Sequence, residues 1–157
     1  MRLKRFVFSI LAAAVVSIGA VSAAIGAEEN WRVSENSPCF LFTPVKTIDD
    51  GQGQTPVALR LDATRLHVTT NSNIDAEFSD LGISVDDKDM VLIDSVVRET
   101  NVVFEAGVPA LVEQFIAGRS ATLQLRFWPT WPSTGPKTAE FSLIGFTKAY
   151  KQMQVCQ

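Results

Sequence analysis

The sequence predicts a mainly β domain with one or two short helices near its C-terminal end. Three observations carry that prediction. Apolar and polar residues alternate in short runs, as at Val57, Leu59 and Leu61 or at Ala121, Leu123, Leu125 and Phe127, which is the period of a half-buried strand. Turn formers separate the runs, notably in residues 49–54 and 71–73. Only two stretches switch to helical spacing, one through Leu111, Val112, Phe115 and Ile116 and one through Phe146, Ala149, Tyr150 and Met153.

The chain starts differently. Arg2, Lys4 and Arg5 precede an uncharged apolar run over residues 6–21, and small residues follow, with cuts expected after Ala23 or Ala27. A basic start, an apolar middle and a small-residue exit make a cleavable export signal, with an uncleaved anchor as the competing reading. Residues 1–27 are therefore set apart as the signal peptide, and residues 28–157 form a single domain of ordinary size. No Cys stands at a cut site for lipid attachment, and no later apolar run approaches the ~20 residues that span a bilayer. The mature protein is expected to be periplasmic or secreted, without a transmembrane segment.

Residues 28–38 form a lead-in carrying Trp31 and Val33 as packing residues. Cys39, Phe40, Leu41, Phe42 and Thr43 suit a short strand near a sheet edge, ended by Pro44. Residues 56–61 and 65–70 alternate as strands, and Asp62, Ala63 and Thr64 are short enough to join them as a hairpin. Residues 81–85 and 90–97 read as strands on either side of the turn at Asp86, Asp87, Lys88 and Asp89, and Val102, Val103 and Phe104 add another. Pro109 opens the first helix and Gly118 stops it. Residues 120–127 are the cleanest strand; a proline-rich loop follows, then a strand over 141–144 and the second helix over 145–153.

Cys39 and Cys156 are 117 positions apart. In an oxidising compartment a lone pair is most simply a disulfide, here tying the two ends of the domain together. A reactive or metal-binding pair is the rival, and no His or further Cys lies near either in sequence.

Charge narrows the partners. Removing Arg2, Lys4 and Arg5 from the 14 basic residues leaves 11 against 17 acids, a net charge of −6. That argues against nucleic acid or an anionic membrane surface, which require clustered Lys and Arg. Seven acids between Asp75 and Asp94 face one Lys, Lys88, and read as a solvated edge. Counted from Asp87, the sixth and twelfth positions of a calcium loop hold Leu92 and Arg98 instead of Gly and Glu, so that motif fails. No phosphate-binding loop, nucleophile elbow or zinc-helix motif occurs, and no cofactor or metal is expected.

Two places invite a functional reading. Trp128, Pro129, Trp131 and Pro132 could present a preorganised apolar surface to a protein or a sugar, unless the indoles fold back onto the core beside Phe127. Asp86, Asp87 and Asp89 offer an acidic edge. His67, the single histidine, sits in an alternating strand and reads as a surface or edge residue; a hydrolytic pairing with Asp62 is the alternative.

One resemblance adds to this. The run from Leu111 through Gly118 to Leu123, followed after the Trp-Pro loop by Phe141, Ser142, Leu143, Ile144, Gly145, Phe146, Thr147, Lys148 and Ala149, resembles the invasion-associated locus B family of exported bacterial proteins. The early Trp31, Arg32 and Val33 followed by Cys39 are similar to that family's mature N-terminus. The resemblance covers the C-terminal third. It implies a periplasmic or envelope-associated β-sandwich linked in pathogens to host-cell entry, with no catalytic residues to carry over. The chain departs from the family in lacking extra central cysteines and in carrying the Trp-Pro loop.

The combined expectation is a disulfide-closed, exported binding or accessory protein without catalysis. Its partner would be a protein or envelope component. The alternative is a periplasmic inhibitor of a cationic enzyme such as a lysozyme, steered by the acidic edge.

Overall fold

Alternating side chains produce two antiparallel sheets with the apolar faces turned toward each other. The computed structural model describes residues 30–34, 36–129 and 135–156. The expected signal segment and its cut sites, and Trp131 and Pro132, lie outside the described residues.

The larger sheet contains β1 (Arg32–Val33), β2 (Leu41–Phe42), β3 (Lys46–Asp49), β4 (Gln54–Leu61), β5 (Leu66–Thr70), β8 (Ser95–Val97) and β9 (Asn101–Phe104). Its order is β1-β2-β4-β5-β9-β8, with β3 also pairing β4. The smaller sheet runs β11-β10-β6-β7, from β6 (Gly82–Val85), β7 (Val91–Leu92), β10 (Ser120–Leu125) and β11 (Lys137–Ser142). Val57, Leu59, Leu66, Val68, Val102 and Phe104 from the first sheet and Ile83, Val85, Leu123, Leu125 and Phe141 from the second form one buried core. The protein is a two-sheet, single-domain β structure with two short helices, as the alternation predicts.

The charged turn after β6 behaves as expected, but the strand expected over residues 90–97 divides. β7 pairs with β6 in the smaller sheet, whereas β8 pairs with β9 in the larger one. The chain changes sheet at Ile93 and Asp94. Asp94 Oδ2 there accepts the backbone N–H groups of Glu105 and Ala106 at 2.6 and 3.1 Å. β3 was not expected, because Lys46–Asp49 has only Ile48 as a large apolar residue. Register with β4 makes this segment a strand.

α1 (Val108–Ala117) buries Val108, Leu111 and Phe115, and α2 (Phe146–Val155) buries Phe146, Ala149 and Met153. Gly118 ends α1, although its backbone is extended rather than left-handed. The requirement is space: a Cβ there would collide with Val85 Cγ1 and the Gln114 carbonyl. Gly145, by contrast, precedes α2 with φ 91°, a conformation that favours glycine. Trp31 joins the helices to the sheet ends. Its ring lies 5.8 Å from Phe115 and 5.0 Å from Phe146, and its Nε1–H donates to the Ser142 carbonyl at 2.9 Å. Cys39 and Cys156 form a disulfide with their Cα atoms 5.9 Å apart, joining the start of β2 to the end of α2.

Candidate binding surfaces

Beyond β10, the alternation continues to Phe127, which is buried and bridges to Ile74. The next residue must then face outward. Trp128 is 64% exposed, its backbone N–H anchored on the Asn73 carbonyl at 2.8 Å. Pro129 follows, also exposed. Phe127 therefore takes the core position, and Trp128 does not fold back beside it.

The acidic stretch separates into residues that build the fold and residues that do not. Asp86, in a left-handed turn with φ 49°, accepts the N–H groups of Arg119 and Ser120 at 3.1 and 3.0 Å. It holds the β6 turn against the start of β10. Asp80 receives two bonds from Arg126, at 2.8 and 2.7 Å, and one from Gln124. Asp87 and Asp89 are exposed and make no hydrogen bond or ion pair among the described residues. Only these two remain of the three aspartates expected to meet a partner with their carboxylates uncommitted.

The Arg126 hydrogen bond holds the Asp80 carboxyl below its ordinary value of 3.8; partial burial opposes this and the Arg126 charge reinforces it. Asp49, Asp50 and Asp62 are shifted in the same direction. A depressed folded-state pKa stabilises above the unfolded value, and that contribution is lost as pH falls through the folded one. Urea midpoints are therefore expected to drop below the ordinary aspartate value of 3.8, and Asp80→Asn to flatten that drop while lowering neutral-pH stability. An unchanged acid limb in the variant removes Asp80 from the account.

His67 is half-buried on β5, an interior strand rather than an edge, and its Nε2 lies 3.5 Å from Asp62 Oδ2. The pairing expected of a hydrolytic site is thus present. Asp62 is also engaged elsewhere, its Oδ1 accepting the N–H groups of Thr64 and Arg65 at 2.9 Å each to shape the β4–β5 turn. Ser95 shares a hollow with His67 but sits two strands away across Val103. Two strand spacings are roughly 9–10 Å, against the ~3 Å that proton abstraction requires.

A further surface escaped the sequence reading. Cross-strand register sets Arg32 opposite Phe42, Phe42 opposite Arg60, Arg60 opposite His67, His67 opposite Val103, and Val103 opposite Ser95. Directly opposed residues share a face, so these six form one row across the outer side of the larger sheet. Arg65 and Arg98 flank it. The sequence signal was confined to Arg60, the polar position between Leu59 and Leu61 in an alternating run, because Arg65 and Arg98 stand among other polar residues.

Among the described residues, no helix is long and apolar enough to cross a membrane, and no group of three or more His, Cys, Asp or Glu is placed to hold a metal ion. No protein-family model matches the sequence, and no curated protein matches it significantly. The fold is similar to a solved structure, that of invasion associated protein B from Bartonella henselae. The two share 18% sequence identity with a TM-score of 0.56, over 81% of this chain and 93% of that one. The likeness extends the C-terminal resemblance to most of the domain, at the level of fold.

Proposed function

We propose that this protein is exported to the cell envelope and acts there as a binding or accessory protein, without catalysis. The observation that carries the reading is Trp128, a large apolar side chain 64% exposed at the end of the cleanest strand. Tryptophan supplies much contact area at low entropic cost and is enriched at the centres of interfaces. The disulfide supports an oxidising compartment, and the basic-apolar-small N-terminus supports export. The likeness to invasion associated protein B supports an envelope-associated role of that type.

A second reading is inhibition of a cationic enzyme through Asp87 and Asp89, favoured by their exposure and by their having no hydrogen-bond or ion-pair partner among the described residues. Capture of a partner from envelope extract separates the two. The first reading expects Trp128→Ala/Trp131→Ala to lose the partner while remaining folded, with little salt dependence. Retention by that variant, with loss on Asp87→Asn/Asp89→Asn and at raised salt, overturns it in favour of the second. Asp86 is left intact because its carboxylate holds the turn.

A further inference from the structure

The net acidity of this protein conceals a basic face. Four of the six arginines among the described residues, Arg32, Arg60, Arg65 and Arg98, lie on or beside the outer row of the larger sheet, together with His67. Six strands at their usual spacing make that row about 24 Å long. Arg65 is paired with Glu105, and His67 with Asp62. Arg32, Arg60 and Arg98 are exposed and have no carboxylate partner among the described residues. Hollows lie at both ends of the row. One, of about 800 Å³, is lined by Arg32, Phe40 and Phe42, and the other, of about 450 Å³, by Arg65, His67 and Arg98 together with Glu105, the carboxylate that Arg65 pairs with.

We infer that this face binds an acidic polysaccharide, a carbohydrate chain carrying sulfate or carboxylate groups, laid along the row from Arg32 to Arg98. Charge complementarity is the first argument: the guanidinium fork matches such oxyanions with paired hydrogen bonds. Preorganisation is the second. The Arg60 guanidinium carbon lies 3.9 Å from the Phe40 ring centroid, a cation–π contact that orders the side chain.

The same geometry disfavours other polyanions. A peptide strand needs unpaired backbone at a sheet edge, whereas β2, β4, β5 and β9, which carry the middle of the row, are each paired on both sides, and the edges β1 and β8 are only two and three residues long. Single-stranded nucleic acid needs open ring faces for base stacking. Here Arg60 covers Phe40, and Phe42 is half-buried. A linear glycan needs only spaced charges on a flat surface. This inference is independent of the Trp128 surface.

The test is titration of the whole chain with heparin as the sulfated-glycan probe, with a single-stranded oligonucleotide of matched charge as the competing arm. The wild type is expected to bind heparin at low salt, more weakly as salt rises, and in preference to the oligonucleotide. Arg60→Gln/Arg98→Gln, both at exposed positions, is expected to weaken binding about tenfold or more while still unfolding cooperatively, its midpoint lowered only by the lost Arg60–Phe40 contact, and Trp128→Ala to leave binding intact. No binding by the wild type overturns the inference. So does equal binding by the arginine variant, loss with Trp128→Ala, or an oligonucleotide bound as tightly.

Discussion

Removing the Cys39–Cys156 bond is expected to cost about 4–5 kcal/mol, the loop-closure entropy of a cross-link this long. The bond closes 117 positions, so nearly the whole domain gains freedom in the unfolded state when it is cut. That is a large fraction of the ~5–15 kcal/mol that holds an ordinary domain together. The folded state also depends on it locally. α2 packs against β1 and β2, both two-residue strands, and the disulfide fastens that helix to the start of β2. Urea unfolding of the oxidised protein and of Cys39→Ala/Cys156→Ala measures the effect. Hydrogen exchange in the variant should show α2 and β1 losing protection before β4, β5 and β10. A loss below about 1 kcal/mol would mean that the unfolded chain is already compact enough to keep its ends together.

Trp31→Ala is the second large effect, expected to destabilise by about 3–5 kcal/mol. Trp31 is 3% exposed and lies against two aromatic rings, one from each helix. Its removal leaves a cavity where β1, α1 and α2 meet. Trp31→Phe separates the causes, because it keeps most of the apolar contact but leaves the Ser142 carbonyl without its indole donor. An unsatisfied acceptor costs about 1–3 kcal/mol when fully buried and less at this part-buried carbonyl, so Phe should fall between wild type and Ala. If both variants unfold at the wild-type urea concentration, the segment before β2 contributes nothing to the fold.

This pair of effects shows where the sequence was readable. Cys39 and Cys156 were legible because a lone pair of cysteines behind an expected export signal has few alternatives. Trp31 was legible as a packing residue from its size, but its partners were not: Phe115 and Phe146 are far from it in sequence. The acidic stretch was misleading for the same reason. Asp86 looks identical to Asp87 in composition, yet one binds the backbone of residues 119 and 120 and the other faces solvent. Trp128 could have faced either way until Phe127 was seen to occupy the core.

The sequence by itself determined the class of the fold. Period-two alternation places Val57, Leu59 and Leu61, or Ala121, Leu123 and Leu125, on one face whatever they meet, because side-chain direction along a strand is a local property. Helical spacing, the glycine after α1 and the turn residues are local in the same way. Only the tertiary structure decided which strand pairs with which, and so that residues 91–92 and 95–97 enter different sheets. It also decided that arginines at positions 32, 60, 65 and 98, scattered through a net-acidic chain, share one face. Net charge is a sum over the chain. A binding surface is set by the order of strands, and strand order is a product of non-local pairing that no window of the sequence contains.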